Sequence, residues 1–287
     1  MQDISIFDRS FDLQKTATYY LGLQFTNQNY SYCILDTTRG KFIGLKYSNF
    51  EVIADPIELS NKINSILKTE GILNQKFLIT SFICKNQKSI LIPNSFFAEE
   101  NINQYLSFNH IIKNEEDILS YPVKILDANV VFTIPRVIKS VIQNHFQNIR
   151  IVHSSIPFIY NYLVNSKIYF EKGSPGLLVA MNVYQDYFEI AVVQEQRLLF
   201  FNTFSFEDEK TFSYFAIYVF KKLELPTGLP FIVSGNIEKQ NSHFKALERY
   251  FPNVQLEKQN PNFTYSSNLS ELAPHLLTEL YNSYGCL

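Results

Sequence analysis

The side chains able to carry chemistry in this chain are few and scattered. Five histidines, His110, His145, His153, His243 and His275, show no metal-ligand spacing with one another, with cysteine or with paired carboxylates. His153 ends an apolar stretch and precedes Ser154-Ser155. A Ser–His pair suggests a nucleophile, but neighbours along a strand end point in different directions and no Gly-x-Ser-x-Gly elbow accompanies them. A structural hydrogen bond from His153 is the better reading. Asp186 and Glu189 stand close enough in sequence to form an acid–base pair, and read more simply as surface residues of a strand. Cys33, Cys84 and Cys286 are an odd, sparse set that makes no disulfide framework. The first two lie in apolar strand patterns, and nothing near Cys286 would activate its thiol. There is no Walker loop and no dinucleotide-binding glycine loop. With 9 glycines in 287 residues, phosphate-cradling loops have little material.

The bulk composition excludes several classes. Hydrophobic residues make up 46% of the chain, including 26 Phe and 18 Tyr, which suits a large packed core and not a disordered chain. A net charge of -2 gives no electrostatic basis for nucleic-acid binding. No apolar run approaches the roughly 20 residues needed to span a bilayer. The N-terminal stretch lacks the apolar segment of a signal peptide, so a cytoplasmic protein is expected. The length allows two domains.

The elements that must position any site are read from periodicity. Residues 1–16 read as a polar leader draped over the fold. Strands are expected at Thr18–Phe25, Tyr30–Thr37 and Lys41–Tyr47, then a helix opened by Asp55-Pro56. Residues 76–127 read as an inserted antiparallel subdomain, beginning with a hairpin of Phe77–Cys84 and Ser89–Ile92. Asn129–Pro135 reads as a second buried strand of the main sheet. A helix at Arg136–Asn148, a strand at Ile149–His153 and a helix at Ser154–Tyr169 follow, with a linker at Glu171–Pro175. The second half then runs through strands Gly176–Met181, Tyr187–Gln194 and Arg197–Phe204. A helix at Asp208–Leu223 and a strand at Pro230–Ser234 come next. Ile237–Tyr250, Val254–Leu256 and Leu269–Tyr284 read as helix, strand and helix. Two domains result, 1–170 and 171–287.

The two halves repeat. Gly22–Leu35, GLQFTNQNYSYCIL, aligns without a gap on Ala180–Val193, AMNVYQDYFEIAVV. Strand residues meet strand residues, such as Leu23 with Met181 and Tyr30 with Phe188. One polar residue interrupts each first strand at the same place, Gln24 and Asn182. Each half continues with a third strand, a helix, a buried strand, a helix and a short strand.

Duplicated three-stranded meanders of this kind resemble the actin-like ATPase superfamily: actin, the Hsp70 ATPase domain, sugar kinases, and especially the pilus assembly protein PilM and the GspL cytoplasmic domain. The Asp-x-Leu leader, the Ile-Pro-Asn-Ser-x-Phe segment at Ile92–Phe96 and the Ile151-x-His-Ser-Ser155 strand are similar to the DUF3822 family, actin-like proteins without an assigned function. The resemblance implies an α/β fold: a duplicated, ribonuclease H-like two-domain architecture with mixed sheets and flanking helices. In the superfamily the first turn of each half carries Asp-x-Gly, the Asp acting on the metal and its water and the Gly admitting phosphate. The matching positions here are Gln24 and Thr26, then Asn182 and Tyr184. Neutral amides bind Mg²⁺ poorly, and Tyr184 would crowd a phosphate. The adenosine-contacting strand end resembles Ser234, Gly235 and Asn236. A cleft between these turns, narrowed by side chains, is the implied binding position. The expected function is a non-catalytic scaffold that binds an unidentified protein partner, with no cofactor. The alternative is a Mg-ATP-dependent ATPase or kinase in which Asp186 supplies the missing carboxylate.

Overall fold

The computed structural model describes residues 2–170 and 176–287. The linker expected at 171–175 lies outside the described residues. Contacts divide the chain into two compact units, Met1–Ile156 with Asn262–Leu272 and Glu279–Leu287, and Pro157–Pro261 with Ala273–Thr278. The chain first crosses between units at Ile156–Pro157, where the sequence placed the boundary at residue 170, and C-terminal segments return to the first unit.

The first unit contains β1 (Ile4–Phe7), β2 (Tyr19–Phe25), β3 (Asn29–Asp36), β4 (Lys41–Asn49), α1 (Pro56–Thr69), β5 (Ile79–Cys84), β6 (Ser89–Pro93), α2 (Ile102–Ser107), β7 (Glu116–Val123), β8 (Ala128–Pro135), α3 (Arg136–His145) and β9 (Ile149–His153). The chain crosses into the second unit within α4 (Ser155–Asn165). β2 and β3 are buried along their whole length, as strands with both faces covered should be. Their sheet has the order β1-β4-β3-β2-β5-β9. The β2–β3 and β3–β4 pairs are antiparallel, and β5 lies parallel to both β2 and β9. Asp55 caps α1 through the N–H groups of Ile57 and Glu58, with Pro56 at its first position.

Four sequence expectations are corrected in this unit. The 76–127 segment is not one inserted subdomain, because β5 is a central strand of the main sheet. The separate three-stranded sheet is β6-β8-β7, so the strand expected at Asn129–Pro135 lies in the insertion. Residues 85–88 do not close a hairpin. Asn86 accepts from Lys88 N at 2.7 Å and donates to Thr133 O at 2.7 Å, which carries the chain off the main sheet toward β8. The leader is not merely draped. Asp3 accepts from Ser48 Oγ and Asn49 N, and Lys41 Nζ reaches Asp8 at 3.0 Å. These polar residues dock β1 antiparallel on β4. Hydrogen bonds from Ser10 and the Lys41 ammonium hold the Asp8 carboxyl down at about 2.

The second unit contains β10 (Leu177–Val183), β11 (Tyr187–Gln194), β12 (Arg197–Ser205), α5 (Glu209–Lys222), β13 (Phe231–Gly235), α6 (Ser242–Glu248) and β14 (Val254–Leu256). The sheet order is β12-β11-β10-β13-β14. Val179, Met181 and Val183 of β10 alternate with Ala180 and Asn182. The first set packs with Phe188, Ile190, Phe212, Ala216, Phe220, Phe244 and Phe251 into one core. β15 (Thr264–Tyr265) then pairs with β4, followed by α7 (Ser267–Ser270) and α8 (Thr278–Asn282). The helix expected at Ile237–Tyr250 is only α6, and the one expected at Leu269–Tyr284 is broken at Pro274, which lacks the N–H a continuous helix needs. In the first unit, Tyr20 donates to Ser283 Oγ at 2.6 Å, and Phe42 meets the rings of Phe263, Tyr265 and Tyr281.

The repeat seen in the sequence reappears as geometry within each unit. Gly22 pairs with Cys33 as Ala180 pairs with Ala191, and Gln24 with Ser31 as Asn182 with Glu189. The β3–β4 ladder slips between Ile34 and Leu35; the β11–β12 ladder slips at the aligned Val192 and Val193. A shared bulge at one aligned position is a specific likeness.

Two outcomes follow. A Cβ at Gly44 would meet the Phe7 ring at 3.0 and 3.1 Å and Ile34 Cβ at 3.3 Å, so G44V pushes β1 from β4. We expect a loss of about 1–3 kcal/mol and faster amide exchange at Ile4–Phe7; unchanged exchange contradicts the docking. Burial lowers His153 from 6.5 to about 4. The unfolded chain therefore takes up this proton at a higher pH than the fold does. Stability is full above pH 6.5 and falls by about 3 kcal/mol as the pH drops toward 4. Denaturant unfolding across this range should show a shallower slope in His153→Gln than in the native chain.

Candidate functional site

In the second unit, register alone assembles a buried polar row. Asn182 of β10 lies opposite Glu189 of β11 and beside Ser234 of β13. All three are 0% exposed. A polar residue at this depth requires partners, and the turn after β10 supplies one. Asn182 Nδ2 donates to Tyr184 Oη at 2.8 Å, and Tyr184 Oη donates to Glu189 Oε2 at 3.0 Å. Ser234 Oγ donates to Asn182 Oδ1 at 3.1 Å. The Tyr184 ring stacks on Tyr187 with centroids 4.2 Å apart and planes at 13°. Tyr184 N also donates to Tyr187 O, closing the turn.

Gly235 sits against this row with φ +85°. A Cβ there would lie 2.1 Å from Val183 O and 2.6 Å from Asn182 Oδ1. The glycine is thus required by close backbone packing onto β10. Asn236 N donates to Val183 O at 2.7 Å while its side chain is exposed. Ser234 and Gly235 are therefore gathered with Asn182 and Tyr184. Asp186 is exposed in the turn, and its backbone carbonyl accepts from Phe206 N. Glu189 is corrected: it is not a surface residue but a buried acceptor for Tyr184.

The equivalent turn of the first unit is simpler. Gln24 Nε2 donates to Ser31 Oγ at 2.7 Å across β2 and β3. Thr26 Oγ1 accepts from Gln28 N at 3.3 Å and Asn29 N at 3.1 Å. The hydroxyl thereby occupies backbone donors of the kind a phosphate uses in a nest.

These residues do not fit a magnesium nucleotide. The positions aligned with metal-facing carboxylates hold amides already engaged in their own sheets. Among the described residues, no group of three His, Cys, Asp or Glu could hold a metal ion. The arrangement ties three strands and a turn together.

His153 is wholly buried: Ser155 Oγ lies 2.8 Å from Nδ1 and Asn86 O lies 2.9 Å from Nε2. With Nε2 protonated, the ring donates to Asn86 O and accepts from Ser155, a bridge between strand end and loop. Burial pushes the Cys33, Cys84 and Cys286 thiols up to about 12, far from reactivity. The sequence reading missed a second buried polar group in this unit, where Asn161 Nδ2 donates to Glu257 Oε1 at 2.7 Å and Asn165 Nδ2 to Asn161 Oδ1 at 2.9 Å. Nothing in the spacing joins Asn161 to Glu257, so far along the chain. Among the described residues, no helix is long and apolar enough to cross a membrane.

Comparison with solved structures identifies the fold. A Bacteroides thetaiotaomicron protein with actin-like ATPase fold and unknown function superposes with a TM-score of 0.76 at 16% identity, over 88% of this chain and 95% of that one. PilM from the PilM–PilN type IV pilus biogenesis complex gives 0.57 at 11% identity, over 93% and 98%. No curated protein matches in sequence. A family model described as a protein of unknown function matches residues 8–254. The chain, an actin-like ATPase fold by structure, therefore belongs to the DUF3822 family.

Proposed function

We propose that this chain is a non-catalytic member of the actin-like fold that serves as a scaffold binding a protein partner. One observation carries the reading: the Tyr184 hydroxyl lies between Asn182 and Glu189 while its ring stacks on Tyr187. The residues that in an ATPase would face phosphate and metal are here joined to each other. Thr26 supports the same reading in the first unit by holding the turn's own N–H groups. The shared register and bulge support descent of both units from one duplicated ancestor. PilM, a structural neighbour, is found complexed with PilN; by fold analogy, a partner segment is a reasonable use of a silent actin-like body. No cofactor is part of this proposal.

The test is thermal unfolding with and without millimolar Mg-ATP. A ligand at 100 times its dissociation constant adds about 2.7 kcal/mol, which in a chain of this size moves Tm by roughly 5–10 °C. We expect no shift. An upward shift of several degrees, abolished by chelating Mg²⁺, overturns the reading in favour of an ATPase or kinase with altered motifs.

A further inference from the structure

The two sheets end differently at equivalent strands. Phe50 N donates to Gln28 O beyond the end of β4, and Phe206 N to Asp186 O beyond the end of β12. By the alternation of antiparallel ladders, Leu45 and Tyr47 of β4, and the matching Phe201 and Thr203 of β12, turn their backbone groups away from the inner strand. On β4 these outward groups are taken by β1, with Ile6 opposite Leu45 and Ile4 opposite Tyr47. Asp8 N continues the ladder to Ile43 O at the bulge. On β12, the last strand of its sheet among the described residues, no strand takes them. The Thr203 N–H is instead met by Asn202 Oδ1 of its own strand at 2.9 Å.

Natural edge strands are protected by lysines, prolines, inward charges or brevity. β12 has none of these from Leu198 to Ser205, a stretch reading LLFFNTFS. Leu199 is 55% exposed. The bulge is no barrier, since β4 carries the same one and still accepts β1. The strand is also complementary to itself. A two-fold axis at Asn202 sets outward residues against outward residues, with Phe201 opposite Thr203 and Leu199 opposite Ser205. No like charges meet across it, because Arg197 is the only charged residue of the strand.

We propose that β12 is a homodimerisation edge, pairing antiparallel with β12 of a second copy and joining the two five-stranded sheets into one continuous sheet. The inference is independent of whether nucleotide binds.

Sedimentation of the full chain tests it. The native protein is expected to move from 33.4 kDa to twice that mass as concentration rises. Asn202 is exposed, so N202K and N202E leave the core intact while placing like charges together at the axis. Each variant alone is expected to be monomeric, and an equimolar mixture to form the dimer again through opposite charges. That recovery also shows that both variants fold. A native chain that stays at 33.4 kDa up to about 0.1 mM overturns the proposal and leaves the edge to a strand from another protein. Variants that remain dimeric alone, or a mixture that stays monomeric, overturn it as well.

Discussion

The second unit depends on how a buried amide is satisfied. Asn182 lies on the β10 face opposite the aromatic core, at a depth where an unpaired polar group would cost on the order of 1–3 kcal/mol. The tyrosine of the following turn meets this need. Its hydroxyl takes the amide N–H and passes a hydrogen bond to Glu189, and its ring lies flat on Tyr187. Ser234 and the close approach of Gly235 complete the arrangement from the neighbouring strand. Three strands and a turn are thereby fixed by one connected set of side chains, where low dielectric strengthens each bond.

The first unit solves the equivalent problem by shorter means. Gln24 bonds across the hairpin to Ser31, and Thr26 folds back on its own turn. The sheets agree in order, register and bulge, yet their interruptions are filled with different chemistry. What the two units share is backbone geometry, while their polar side chains at matching positions differ. The outer edges differ too: one is finished by the chain's own leader strand, while among the described residues the other ends on β12, which carries no charge from Leu198 to Ser205.

Much of this was legible in the sequence. The meander strands declare themselves through continuous apolar runs, and the gapless match of Gly22–Leu35 to Ala180–Val193 carries their register. Gln24, Asn182 and Tyr184 could be singled out because a polar or bulky residue breaks the pattern at aligned points. The path of residues 76–135 was not legible. Local periodicity cannot say whether β5 turns back on β6 or enters a parallel sheet, because that depends on pairing with β2 and β9 far along the chain. The leader's strand was hidden for the same reason, since its partner β4 lies some forty residues on. Glu189 looked like a surface residue because alternation does not reveal which face of a strand is covered. The Asn161–Glu257 contact has no sequence signal, as it joins a helix to the residue that follows β14.

The account rests on Asn182 and Tyr184 acting as one unit, and a double-mutant cycle on stability measures that directly. Asn182→Ala, Tyr184→Phe and the double variant would be unfolded in denaturant under the same conditions. The account predicts a coupling energy of about 1 kcal/mol or more, the double variant costing less than the sum of the singles. Losses that add to within about 0.3 kcal/mol would contradict it, because the two side chains would then be neighbours without a shared role.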